Sequence, residues 1–300
     1  MRLGAIVANV GPLATNPGVR AQARAAEAAR ADSIWCSDHL MMFHRDITDY
    51  PYEPGGSPSW PRFADYFEVM TVCSMMAAVT ERIRIHTGVL VLPQRNVIEM
   101  AKVIASLDRL SEGRLDLGLG AGWYGDEMAA LGWDFKTRGK RMDDMLQILR
   151  NCWSGEPEAF AGQVIDLPPD LVLLPTPMRP EGPPMLVGGN SERARRRAAR
   201  LGDGWLGLAF ADSIDFDQVR SWHDMVRAER AALHGADSPF RTALKFHLAT
   251  VGWDELPDLM VELAQIGFDE IAFEPRWGED LDDAIASIGE IRAAVEGVRS

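Results

Sequence analysis

The stretch from residue 83 to residue 120, IRIHTGVLVLPQRNVIEMAKVIASLDRLSEGRLDLGLG, holds one full repeat of the fold. Ile83–Leu92 is a mostly apolar run of the length and β-branched content expected of a buried parallel strand. From Asn96 to Leu110 the rhythm changes: Val97, Ala101, Ile104, Ala105 and the Asp108–Leu110 turn recur every three or four residues, as on a helix with one buried face. Arg114–Leu119 returns to a short apolar run. Strand, helix, strand in that order is a βαβ unit.

Outward from this unit, similar runs stand at Leu3–Ala8, Ser33–Ser37, Met185–Val187, Gly204–Phe210, Ala243–Val251 and Glu270–Phe273, with helical spacing between them, as at Gly18–Arg30. Eight such strands could close into a barrel or spread into a doubly wound open sheet, and periodicity does not choose. The count of eight favours an α/β fold of the (β/α)8 TIM-barrel type, expected as one domain over residues 1–300. Barrel enzymes carry their chemistry at the carboxyl ends of the strands. Two connections exceed simple turns. Leu40–Phe63 mixes Pro51, Pro54, Pro58 and Pro61 with Met41, Met42, Phe43, Tyr50, Tyr52 and Trp60, and reads as a lid or pocket wall rather than a solvated loop. Residues 155–184, rich in Pro and Gly, read as an insertion before the fifth strand.

Composition narrows the function classes. A hydrophobic share of 47% with 25% charged residues is that of an ordinary globular chain. The formal charge of −13 argues against a general nucleic-acid surface, which needs Lys and Arg in excess. Cys36, Cys73 and Cys152 form no CxxC pair, and the six histidines form no HxH or HExxH spacing, so neither a disulfide framework nor a metal site is expected. No apolar run approaches the ~20 residues of a membrane helix, and the N-terminus lacks the pattern of a secretory signal. A cytoplasmic protein with small-molecule partners is the expectation.

Three strand ends attract attention. Ser37-Asp38-His39-Leu40 places a carboxylate beside an imidazole; neighbours on an extended chain point opposite ways, so one can brace the site while the other faces a ligand. A purely structural Asp–His pair is the competing reading. Gly118-Leu119-Gly120-Ala121-Gly122-Trp123, with Glu127 in the helical stretch that follows, lets the backbone approach a ligand closely, but lacks the GxGxxG spacing of a dinucleotide fold. Gly188-Gly189-Asn190-Ser191 precedes a helix bearing Arg193, Arg195, Arg196, Arg197 and Arg200. Amides at a helix start, a hydroxyl and guanidinium groups suit a phosphate; a solvated arginine face is the alternative. In a chain this acidic, five arginines within eight residues favour the anion site.

Together these motifs resemble the luciferase-like oxidoreductases across about the whole chain. The resemblance rests on Ser37 to Leu40, Gly88 to Asn96, Ala105 to Asp108 with Ser111, Gly113 and Arg114, Gly118 to Trp123 with Glu127, Arg138 to Arg141 running to Trp153-Ser154-Gly155, and Gly188 to Ser191 running to Gly202-Asp203-Gly204-Trp205. The sequence departs from the family's usual pattern at Val97, often proline, and Asp144, often glutamate.

The resemblance implies a (β/α)8 barrel with an insertion that binds the deazaflavin coenzyme F420, or alternatively FMN, at the strand ends. It further implies Asp38 and His39 beside the cofactor ring, with a non-proline cis peptide at Gly88–Val89 behind it. Ala121 and Gly122 are implied by the ring or its side chain, with Trp123 and Glu127 in the same segment. Gly188, Gly189, Asn190 and Ser191 are implied at the phosphate. The expected activity is hydride transfer between the deazaflavin and a small apolar or aromatic substrate, with His39 exchanging a proton and Asp38 tuning it. The alternatives are an FMN monooxygenase served by a flavin or F420 reductase partner, and a barrel that binds a flavin without turnover. Relatives of this kind are often dimers, so a homodimer is expected.

Overall fold

The computed structural model describes residues 1–48, 50–52, 56–58, 63–248, 250–278 and 280–297. Eight parallel strands pair in chain order and the last returns to the first, closing a barrel. They are β1 (Arg2–Ile6), β2 (Ser33–Cys36), β3 (Arg84–Val91), β4 (Leu115–Gly120), β5 (Met185–Gly188), β6 (Gly204–Phe210), β7 (Arg241–His247) and β8 (Glu270–Phe273). Helices α1 (Asn16–Ala28), α2 (Val69–Val79) and α3 (Val97–Leu110) follow the first three strands, and α4 (Gly125–Ala130) and α5 (Arg138–Cys152) follow β4. The circuit is completed by α6 (Glu192–Leu201), α7 (Phe216–His234), α8 (Leu256–Ile266) and α9 (Leu281–Glu296). Helix starts are fixed locally: the side chains of Thr15, Asn96, Ser191 and Asp215 accept from first-turn amides.

The seventh strand differs from its hydropathy. The apolar run suggested Ala243–Val251, but β7 begins at Arg241 and ends at His247, because its ladder partner β6 starts at Gly204 opposite Arg241 and ends at Phe210 opposite His247. Pairing, not apolarity, sets where a strand stops. Leu248 is then buried, and Val251 partly buried, from a loop.

Two apolar layers result. One lies between sheet and helices. The other fills the barrel with Ile6, Trp35, Leu186, Leu206, Ala243 and Ala272, against which Val89 packs. Trp35 dictates its neighbours: a Cβ on Gly4 would stand 2.3 Å from its indole nitrogen, and one on Gly88 would stand 2.7 Å from its ring. Below Trp35, at the amino ends of the strands, an ionic plug forms. Asp116 accepts from Arg84 Nε at 2.9 Å and Arg241 at 2.7 Å, and lies 2.9 Å from His86 Nε2, while Arg241 also reaches Glu270 at 3.0 Å. Burial alone would raise the Asp116 carboxyl, but His86, Arg84 and Arg241 hold it well below the usual range.

The segment 155–184 contains one short antiparallel bridge, Phe160 with Leu167, and no helix. It is pinned to the outside of the barrel. Asp144 of α5 accepts from the amides of Gln163, Val164 and Ile165 at 3.0, 2.7 and 3.1 Å, and Asp108 of α3 from that of Met178 at 2.8 Å. Among the described residues, no helix is long and apolar enough to cross a membrane.

Candidate active site

The carboxyl ends of the strands open on a cavity of about 1470 Å³, room for a cofactor-sized ligand and a second small molecule. Its wall unites segments far apart in sequence: Asp38 and His39 after β2, Gly88 and Val89 in β3, and Gly188 to Ser191 at the end of β5 and just beyond it. Ala121, Gly122 and Trp123 after β4 complete that side. The Gly88–Val89 peptide is cis, and the β3–β4 register shifts between Thr87 and Leu90. Gly122 turns with φ +82°, which strains any other residue, and a Cβ there would stand 2.5 Å from the Met128 methyl and 2.8 Å from Val91, forcing them to shift.

Asp38 and His39 diverge, as adjacent residues of an extended segment must. Asp38 turns to β3, where its carboxylate accepts from Arg95 at 2.7 and 2.9 Å and from the Val91 amide at 2.8 Å. Burial pushes this carboxyl upward, and the bidentate guanidinium opposes it. His39 turns to α4, with Nδ1 2.9 Å from Glu127 Oε2. The rings of Tyr66 and Trp123 meet the imidazole edgewise at 5.7 and 5.5 Å.

Glu127, expected from sequence as a cofactor contact, is fully buried and absent from the cavity wall. It braces instead. One oxygen holds His39 and the other accepts from the Leu40 and Met41 amides at 2.6 and 3.2 Å. Burial alone would raise this carboxyl; the His39 ring and the Leu40 amide outweigh it and lower it. A carboxylate on Nδ1 fixes the tautomer and orientation of the ring.

After β5, two of the expected residues are also engaged within the fold. The Asn190 side chain donates to Leu208 O at 2.7 Å and accepts from Leu208 N at 3.0 Å, while the Gly189 amide donates to Leu206 O at 3.0 Å. Both groups tie β5 to β6, so what this turn can offer an anion is the start of α6. There the first-turn amides lack intrahelical partners, Ser191 caps the Ala194 amide at 3.3 Å, and the helix dipole is positive.

The arginine-rich helix also divides its labour, since residues 100° apart cannot share one face. Arg196 pairs with Glu192, Arg200 with Asp143, and Arg195 binds Asn190 O under Trp222. Only Arg193 and Arg197 face the cavity. They are joined there by Lys136, Arg138 and Lys140 from the other side of the same rim. Burial lowers the Arg138 pKa first, and the nearby charges of Arg197 and Arg193 lower it further. Asp143 offsets part of this charge through Arg197 and Arg200. The residues between Lys136 and Arg141 were visible in sequence as a basic run beside a helix start.

Lys245, which belongs to no sequence motif, also lines the cavity. Its Nζ donates to Ser37 Oγ at 2.7 Å and Gly88 O at 2.9 Å inside the barrel mouth. Burial pushes its pKa from 10.5 to about 8. The folded chain thus gives up this proton before the unfolded one, so stability rises between about pH 8 and 10.5. The denaturation free energy of the wild type minus that of Lys245→Met should grow by about 2–3 kcal/mol from pH 7 to pH 10. A flat difference would place the ammonium in water.

The sequence profile described as luciferase-like monooxygenase matches residues 12–255. The chain belongs to this family. An uncharacterized protein from Mycobacterium tuberculosis is 35% identical over 218 residues, covering 73% of each chain. An F420-dependent glucose-6-phosphate dehydrogenase of Amycolatopsis mediterranei is 28% identical over 186 residues, 60% of this chain and 50% of that one. An FMNH2-dependent dimethylsulfone monooxygenase of Pseudomonas putida is 27% identical over 168 residues, 55% of this chain and 45% of that one. The luciferase-like barrel superposes on an F420-dependent secondary alcohol dehydrogenase with a TM-score of 0.78 at 16% identity, over 98% of both chains. The luciferase-like family thus includes F420-dependent and FMN-dependent enzymes, and this chain is an oxidoreductase of that class.

Proposed function

We propose that this luciferase-like chain is an F420-dependent oxidoreductase acting on a small organic substrate with an apolar or aromatic body. The observation that carries the choice of cofactor is the rim of Lys136, Arg138, Lys140, Arg193 and Arg197, in a protein of net charge −13. FMN ends in one phosphate, which the start of α6 could satisfy alone. The deazaflavin continues past its phosphate into a tail of carboxylates, for which further cations along the rim are suited.

When bound, the deazaflavin supplies hydride acceptance or donation. The remaining work falls to side chains. Gly88 and Val89 would back the ring and Ala121 with Gly122 would flank it, while Asp38, neutralised by Arg95, holds β2 against β3. His39 exchanges the substrate proton, held in one tautomer by Glu127. Tyr50, Tyr52 and Trp123, packed around Ile47 and Tyr124, would exclude water from one side of the cavity. The Pro54, Trp60 and Pro61 part of the expected lid lies outside the described residues.

Reversal of the rim charge tests the assignment. Each charge-assisted contact is worth roughly 1.5–3 kcal/mol. Arg138→Glu combined with Arg193→Glu should weaken deazaflavin binding by about 100-fold or more and FMN binding by about tenfold or less. Equal losses for the two ligands would remove the reason to prefer F420. Oxygen uptake with FMN and a reductase partner would favour the monooxygenase reading, for which the FMNH2-dependent relative is the support.

A further inference from the structure

A second polar cluster lines the cavity away from the basic rim. Lys245 and His247 stand two apart on β7 and so share its inward face, about 7 Å apart along the strand. Glu274, just beyond β8, lies 2.8 Å from His247 Nδ1 through Oε1, and the imidazole stacks on Phe210 with centroids 5.2 Å apart and planes 20° apart. These four residues all line the cavity. No sequence motif marks them.

Charge separates this cluster from the basic rim. One ammonium, one carboxylate and an imidazole sum to little net charge. Two of the Lys245 donors are already committed to Ser37 Oγ and Gly88 O, which leaves a third N–H. Burial lowers the Lys245 pKa, and the neighbouring Glu274 opposes that shift. The His247 ring and Lys245 in turn hold the Glu274 carboxyl below its usual range, against a burial effect that would raise it. In the neutral tautomer whose Nδ1–H donates to Glu274, the His247 ring presents Nε2 as an acceptor. One donor and one acceptor thus face a ligand together, beside an aromatic plane. A phosphate or carboxylate would meet the Glu274 charge; an amine would meet Lys245. A hydroxyl group satisfies both partners at once, accepting from Nζ and donating to Nε2, whereas a carbonyl satisfies only the first.

We infer that Lys245, His247 and Glu274 form a specificity subsite for a neutral hydroxyl-bearing substrate whose apolar body lies against Phe210. This deepens the oxidoreductase reading and rests on it for the claim that the occupant is a substrate. Lys245 and His247 recognise the hydroxyl, and Glu274 is the positioning residue for the imidazole.

The test follows the imidazole nitrogens of 15N-histidine-labelled protein during titration with cyclohexanol, cyclohexanone and cyclohexanecarboxylate. The His247 signals are assigned from their loss in His247→Gln. Each titration is run on the protein alone and with deazaflavin, whose own binding is read independently from its absorbance. Cyclohexanol should shift His247 Nε2 with an affinity at least about tenfold above that of the carboxylate, a difference of roughly 1.4 kcal/mol, and the ketone should fall between them. Lys245→Met should lose that preference, and His247→Gln should leave deazaflavin affinity within about twofold. Glu274→Gln should alter the Nδ1 signal before any alcohol is added. No His247 shift with cyclohexanol, or a carboxylate that binds as well, overturns the subsite. A His247 response to cyclohexanol with no deazaflavin binding would sink the cofactor assignment and leave the subsite standing.

Discussion

His39→Ala is expected to lower kcat by about 10²–10⁴-fold, the usual contribution of a positioned acid–base group, while deazaflavin affinity changes by less than about tenfold. The reason is geometric. His39 sits in the cavity wall with Nδ1 on a buried carboxylate, between two aromatic edges, so its orientation is fixed before any substrate arrives. Glu127→Gln should reproduce part of the loss, because an amide on Nδ1 can hold the ring in either tautomer. Steady-state kinetics beside cofactor titration separates the two readouts. A His39→Ala enzyme with unchanged kcat would reduce the Asp38–His39 pair to a structural feature, and a parallel collapse of cofactor affinity would make His39 a binding residue.

Asp116→Leu should cost about 3–5 kcal/mol, the penalty for breaking a buried ion pair by removing one partner. Asp116 accepts from Arg84 and Arg241 and lies 2.9 Å from His86 Nε2 beneath Trp35, and a leucine leaves the partly buried Arg84 and Arg241 without that carboxylate, with Glu270 still paired to Arg241. Against a total stability of about 5–15 kcal/mol, the loss would take a large share of the margin that keeps the chain folded. Because the folded pKa lies below the unfolded one, Asp116 contributes fully at neutral pH. That contribution fades only as pH falls below the ordinary carboxylate value toward the folded one. Urea denaturation at pH 7 and pH 3 measures both effects. A loss under about 1 kcal/mol at pH 7 would mean that the plug is solvated.

The sequence disclosed the barrel because parallel strands buried on both faces leave continuous apolar runs, and β3, α3 and β4 carry that signal without interruption. It disclosed the strand-end segments because glycines and adjacent charged residues are conspicuous there. It misplaced the seventh strand for the same reason that it passed over Lys245 and His247: a search for apolar runs looks past polar residues inside a strand. The signal was the alternation of Leu244, Phe246 and Leu248 with Ala243, Lys245 and His247, which puts the polar set on the inner face. For Glu127 and Asn190 the sequence suggests a place near the site but not the contacts their side chains make in the fold. Whether a carboxylate faces a ligand or braces a histidine depends on contacts between α4 and β2, 88 residues apart in sequence. Local spacing holds no record of that.

The most direct measurement is a pair of equilibrium titrations, F420 and FMN, on the same protein at low and at physiological salt. The deazaflavin should bind at least about tenfold more tightly than FMN, and its advantage should shrink as salt screens the Lys136–Arg197 rim. FMN binding as tightly as the deazaflavin, or a deazaflavin affinity indifferent to salt, would contradict the account.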